Sequence, residues 1–197
     1  MGGAPEPRRF APGDVLEVGS QFRSLLPRGG LPRQAVTHAS ETAALVVEML
    51  EAVTATGGFA GVVGWPELSY AGISHLERVI AVPDPGIDPL SVAGVLVEGL
   101  DLVVLHLPQR IALSPVRARP LLARVRRGRA ALITVNAEVP SPALRLSARV
   151  VGFHGIGRGS GRITGFDLRV EAAGHRTASA VITLGQAAGR APLEAVR

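Results

Sequence analysis

The sequence predicts an α/β fold, with a mainly parallel central sheet flanked by helices and an antiparallel strand edge on the carboxyl-terminal side. Three observations carry this. The run Leu100-Asp101-Leu102-Val103-Val104-Leu105-His106-Leu107 is short, nearly continuously apolar and set between Gly99 and Pro108, which is how a strand buried on both faces of a parallel sheet reads. Strand-like runs alternate with helical periodicity across residues 35–135, a pattern that implies right-handed crossovers and a ligand site beyond the carboxyl ends of the strands. From Leu144 onward the helical periodicity stops, and three strand-like segments follow one another across Gly-rich turns.

Taken in order, residues 1–13 are rich in Pro, Gly and Arg and read as a flexible tail; residues 14–184 form the domain, and 185–197 a second tail. Residues 19–26 form a turn or short helix that stops at Pro27, and Gly29-Gly30-Leu31-Pro32-Arg33 turns into a strand over 35–37. Ser40 is the expected N-cap of the first long helix, whose apolar positions Ala43, Val46, Val47, Leu50 and Val53 recur at helical spacing until Gly57-Gly58. A strand over 59–63 leads past Glu67 to a short helix over 73–78 and an apolar run over 79–82, cut off by Pro83-Asp84-Pro85-Gly86. Pro89 starts a helix over 89–98 that leads into the central strand. Ser114-Pro115 opens a helix that reaches Arg127, and a buried strand over 130–135 follows. Segments 145–153, 162–171 and 177–184 are the antiparallel edge. The glycines of the turn from His154 to Gly161 imitate a dinucleotide-binding loop, but such a loop must open a helix, and this one joins two strands.

A chain of 197 residues that is 47% apolar and lacks Cys fits one domain with a sizeable core and no disulfides or thiolate-bound metal. Asp88, Glu98, Asp101 and His106 interrupt its longest apolar region, and its first residues have no apolar signal-like stretch. A soluble, cytoplasmic protein with no membrane partner is expected. All 21 basic residues are Arg, for a formal charge of +5. Without Lys the chain has no ammonium to reach the β- and γ-phosphates from a GxxxxGK[ST] loop, and none to form a Schiff base.

The order of these segments resembles the core of the RecA recombinase family. The Gly-Gly-Leu-Pro-Arg turn is followed by strand, helix, Gly57-Gly58, strand, the Asp101-to-Leu107 strand, the Leu132-Ile133-Thr134-Val135-Asn136 strand and the Ala143-to-Val150 segment. More narrowly, the chain resembles the ImuA-type accessory proteins of actinobacterial mutagenic DNA repair, over residues 14–184. The resemblance marks Ser40, Glu41, Thr42, Glu67, His106 and Asn136 as the place of a nucleotide site, and the chain departs from the family there. Thr37-His38-Ala39-Ser40-Glu41-Thr42 has neither Gly nor Lys in place of the phosphate loop, and Glu67 meets the catalytic glutamate only with a shift of register. His106 replaces the acid that holds Mg²⁺, and Ala137 replaces the glutamine expected to sense the γ-phosphate. The DNA-binding loop that follows is reduced to residues 138–142.

Other constellations weigh less. His38, Ser40 and Glu41 are the residue types of a nucleophilic triad, but a triad is defined by geometry and these sit where a helix begins, so capping is the expectation for Ser40 and Glu41. His38, His75, His106, His154 and His175 show no metal-binding spacing. Arg117, Arg119, Arg124, Arg126, Arg127 and Arg129 make the helix after Ser114 basic, either as a solvated face or as a patch for DNA or an acidic partner.

The resemblance therefore implies a non-catalytic, cofactor-free accessory protein of SOS-induced translesion synthesis. Its partners would be a Y-family polymerase-like protein and an error-prone replicative-type polymerase, with at most weak contact with single-stranded DNA. A cell-division inhibitor of the SulA type, also a reduced RecA relative, and a RecA-like protein that binds NTP or DNA are the alternatives.

Overall fold

Leu102 opens a strand that lies inside the sheet, buried on both faces. In the computed structural model, which describes residues 14–157, 160–174 and 176–185, the chain begins with β1 (Val15–Leu16), two 3₁₀ turns, and β2 (Leu31–Pro32), which pairs back on β1. Then come β3 (Val36–Ala39), α1 (Ala43–Ala55), β4 (Ala60–Val63), β5 (Val79–Val82), α2 (Pro89–Gly99), β6 (Leu102–Ala112), α3 (Pro115–Arg127) and β7 (Ala131–Glu138). Three strands close the described chain: β8 (Leu144–Gly157), β9 (Ser160–Ala173) and β10 (Thr177–Gly185). The expected tails, apart from Gly185, lie outside the described residues, as do His175 and the hairpin residues Arg158 and Gly159.

The main sheet has the order β10-β9-β8-β3-β7-β6-β4-β5. From β8 to β5 every neighbouring pair is parallel, while β9 runs antiparallel to both β8 and β10. The expected α/β class, parallel centre and antiparallel edge are all present. Helices cover the parallel strands on both faces. Val104 faces the cluster of Leu45, Met49 and Leu50 of α1, and Val103 faces that of Val97 of α2 with Leu121 and Val125 of α3. Adjacent strand residues point to opposite faces, so this one strand joins two cores, and both valines are fully buried.

Helix starts follow local chemistry. Asp88 accepts a hydrogen bond from the Ser91 amide ahead of α2, and Ser114 from the Arg117 amide ahead of α3, each with Pro in the first turn. Three expectations need correction. Thr42, not Ser40, precedes α1, and it makes no side-chain capping bond. The helix expected over 73–78 is one 3₁₀ turn, Leu76–Arg78. The central strand does not close at Pro108. Its pairing with β7 lapses between His106 and Ile111 and resumes at Ala137, so the proline sits where no ladder bond is needed.

The amino ends of the strands are locked by Asp101. Its carboxylate accepts from the Phe59 amide at 3.1 Å, from Arg129 at 2.6 Å and from both terminal nitrogens of Arg33 at 3.4 Å. Arg33 also donates to the Arg129 carbonyl at 2.8 Å. Burial opposes ionisation of Asp101, yet the Phe59 amide and the two guanidiniums hold it below its ordinary value. The Gly-Gly-Leu-Pro-Arg turn thus serves the fold, at the end of the sheet opposite the site.

Candidate functional site at the strand ends

Four neighbouring parallel strands end side by side, and the residues at or just past their ends meet. Ser40 and Glu41 follow β3, Gly64 and Trp65 follow β4, His106 lies next to last in the buried part of β6, and Asn136 lies in β7. His106 is the hub. Its Nδ1 lies 2.8 Å from the Gly64 carbonyl oxygen and its Nε2 lies 2.7 Å from Oε1 of Glu41. A carbonyl can only accept, so Nδ1 donates to Gly64, and Nε2 faces the Glu41 carboxylate. Trp65 stacks on the imidazole with ring centroids 4.5 Å apart and planes 13° from parallel. Gly64 is required there: its φ is +77°, and a Cβ would come within 2.5 Å of the His106 carbonyl oxygen.

Glu41 is held below the ordinary carboxylate range by its hydrogen bond to His106 first and to Asn136 second. Asn136, at the uncommon φ of +61°, also donates to the Leu107 carbonyl at 3.1 Å. Ser40 and Thr42 reach the other way. Ser40 Oγ accepts from the Ala148 amide at 2.9 Å, and Thr42 Oγ1 donates to the Ala148 carbonyl at 3.0 Å, which fastens the loop to β8. The capping expected of Ser40 and Glu41 is therefore replaced by contacts far along the chain. A triad is absent as well: His38 Nδ1 faces Thr134 Oγ1 at 3.3 Å, and burial first, then Arg145, keep its imidazole below the usual histidine value.

Glu41 stands between two clefts. One, of about 590 Å³, is lined by Glu41, Gly64, Glu67, Asp84, His106 and a rim of prolines. The other, of about 490 Å³, is lined by His38, Ser40, Arg110, Asn136, Arg145 and their neighbours. The first presents carboxylates where phosphate oxygens would need cations or amides. Glu67 lies at its mouth, exposed. Among the described residues no cluster of His, Asp and Glu could hold a metal ion, and no helix is long and apolar enough to cross a membrane.

Five of the six arginines singled out from the sequence lie on α3, and Arg129 follows it. Ala118, Leu121 and Val125 form the buried stripe of α3. At 100° per residue Arg117 and Arg124 flank it on one side, Arg119 and Arg126 on the other, and Arg127 points away from it. Arg124 pairs with Glu98 at 3.8 Å, and Arg129 is engaged by Asp101. The arginines are therefore spread around the helix and not gathered in one stripe. Sequence reasoning missed Trp65 and Gly64; the Gly-Trp pair directly after a strand was the available signal.

The sequence model of the MT3502 N-terminal domain matches residues 24–141. That span runs from ahead of β2 to just past β7 and contains every residue of the His106 network, while β8, β9 and β10 lie beyond it. The uncharacterized protein Rv3395c of Mycobacterium tuberculosis (strain H37Rv) is 36% identical over 168 residues, which are 79% of this chain and 82% of the relative. On the extent of both matches, the chain belongs to the family of the MT3502 N-terminal domain.

Proposed function

We propose that this chain is a RecA-like accessory protein of SOS-induced mutagenesis that performs no nucleotide chemistry and acts through contacts with a Y-family polymerase-like protein and an error-prone replicative-type polymerase. The observation that carries this reading is the Glu41–His106 pair, 2.7 Å apart at the ends of β3 and β6. It stands where the resemblance puts the phosphate loop and the metal-binding acid, and there it links two protein segments. Glu67 and Asp84 add carboxylates to the same cleft, so a triphosphate entering it would meet like charge with no Lys to answer it. An accessory role in the cytoplasm, with at most weak DNA contact, fits such a site.

Capture of the tagged chain from DNA-damaged cells tests the partner: recovery of the polymerase-like protein is expected, and recovery of the tubulin-like division protein in its place would favour the SulA-type alternative. Purified protein should show neither ATP hydrolysis above background nor Mg²⁺-dependent ATP binding at millimolar concentration. Hydrolysis abolished by Glu67→Ala would overturn the non-catalytic reading.

A further inference from the structure

The outermost strand, β10, reads Thr-Ala-Ser-Ala-Val-Ile-Thr-Leu-Gly over Thr177–Gly185. It has no charged side chain and no Pro, and all its 9 residues pair with β9 without a shift of register. Among the described residues no strand lies beyond it. Exposed edges are ordinarily blunted by charge, proline, a bulge or shortness. The opposite edge follows that rule, because β5 has 4 residues and runs straight into Pro83. β10 does not, and its outward N–H and C=O groups, which no described strand pairs, are a template for one more strand.

The solvent-facing side of this sheet indicates what that strand would carry. Arg149 of β8 lies directly opposite Arg169 of β9, and Arg169 directly opposite Val181 of β10. Like charges in a direct cross-strand pair oppose each other, and neither arginine has an acid as its direct cross-strand neighbour. Acids occupy the rows on either side. Glu171 stands between Ser147 and Ser179, and Asp167 between Gly152 and Thr183. Asp167 is engaged by His154 at 2.9 Å and by Thr183 at 2.7 Å.

We propose that the free edge of β10 is a strand-addition site for an extended segment of a partner protein, with one carboxylate in the Arg149–Arg169 row, hydroxyl residues in the two adjoining rows and apolar residues between them. An added residue opposite Val181 lies two strand spacings, about 10 Å, from Arg169. A guanidinium leaning over Val181 covers that gap to a glutamate. In the adjoining rows Glu171 and Asp167 would repel a second acid, whereas Ser179 and Thr183 favour a hydroxyl opposite them. On the other face the added strand continues the row of Ala178, Ala180, Ile182 and Leu184, hence the apolar residues. A second copy pairing antiparallel about Val181 would bring its own Val181 into the arginine row, with its Arg169 and Arg149 beyond and no acid among them, so charge favours a different, acid-bearing partner. The site lies outside the strand-end cleft and is independent of its chemistry.

The test uses the full chain and a labelled seven-residue peptide that alternates valine with threonine and carries glutamate at its centre, with a lysine-centred counterpart, both read by fluorescence anisotropy. The glutamate peptide should bind about tenfold more tightly than the lysine peptide. N-methylation of alternate peptide amides should abolish binding, and the double variant Arg149→Glu/Arg169→Glu should reverse the preference. Both arginines are exposed, so the fold should survive, as circular dichroism would verify. Hydrogen exchange at the β10 amides that face away from β9 should slow only when peptide is added. Equal binding of the two peptides, or no binding by a folded chain, overturns the proposal. A dimer in light scattering that Val181→Asp dissociates would instead assign the edge to a second copy, and outward-facing β10 amides already protected in a peptide-free monomer would assign it to the chain itself; either result overturns the partner.

Discussion

Nε2 of His106 and Oε1 of Glu41 stand 2.7 Å apart, so the buried end of β6 is clasped by the loop that follows β3. The two side chains differ sharply in exposure, 5% for the histidine and 52% for the glutamate. The pair is thus anchored from inside and read from outside, with Trp65 packed on the buried partner.

The first prediction concerns acid. The bonds from His106 and Asn136 depress the Glu41 pKa in the folded state. A carboxylate with a depressed folded pKa stabilises the fold above its unfolded value, and that contribution is lost as pH falls through the folded one. The loss therefore begins below about pH 4.5. Melting temperatures followed by circular dichroism from neutral pH downward should fall there, and Glu41→Gln should show a shallower acid limb. The difference will be modest because Glu41 is half exposed, and it will not be complete because Asp101 is depressed in the same direction. Identical limbs in the two proteins would show that the pair contributes nothing to stability.

The second prediction concerns Asp101. The side chains of Arg33 and Asp101 are 11% and 10% exposed, whereas that of Arg129 is 40% exposed. Asp101→Asn takes from the Arg33 guanidinium the carboxylate it bonds directly and leaves Asp14 as the remaining negative charge near it, a change expected to cost up to about 3 kcal/mol. Arg129→Ala should cost less, since water can replace part of what the more exposed side chain supplied. Urea unfolding monitored by Trp65 fluorescence measures both. An Asp101→Asn midpoint equal to the wild-type value would mean that the lock is not what holds the amino ends of β4 and β6 together.

What was legible in the sequence was local. The central strand announced itself as an apolar run between Gly99 and Pro108, α2 by Pro89 and α3 by Ser114-Pro115, because buried strands and helix starts write their chemistry into a few adjacent residues. The roles of Ser40 and Glu41 were not legible. Both looked like capping residues, yet their partners lie far along the chain, 65 residues from Glu41 to His106 and 108 from Ser40 to Ala148. The extension of β6 past Pro108 was hidden for a related reason, since a proline is compatible with a strand only where the neighbouring ladder lapses. His106 stood out at the end of the apolar run, but nothing adjacent to it foretold the stack on Trp65.

The last prediction separates a solvated α3 from a phosphate-binding one. Because the arginines are spread around the exposed arc, a single strand of DNA following one line along the helix can reach Arg117, Arg124 and Arg127, or Arg119 and Arg126, but not all five. Each neutralised phosphate releases condensed counterion and contributes about −0.7 to the slope of log affinity against log salt. Three contacts therefore give a slope of about −2, whereas five would give about −3.5. The chain has 5 Phe, 1 Trp and 1 Tyr, and Trp65 is already buried on His106. Base stacking should therefore add little, and binding should be weak, sequence-tolerant and lost at physiological salt. Anisotropy of a labelled oligodeoxythymidine across a salt series reads the slope directly. Arg117→Glu/Arg124→Glu/Arg127→Glu should remove it with the fold intact, since these side chains lie outside the Ala118, Leu121 and Val125 stripe. A slope near −3.5, or binding that survives the triple reversal, would show that the strand takes a different path across the protein.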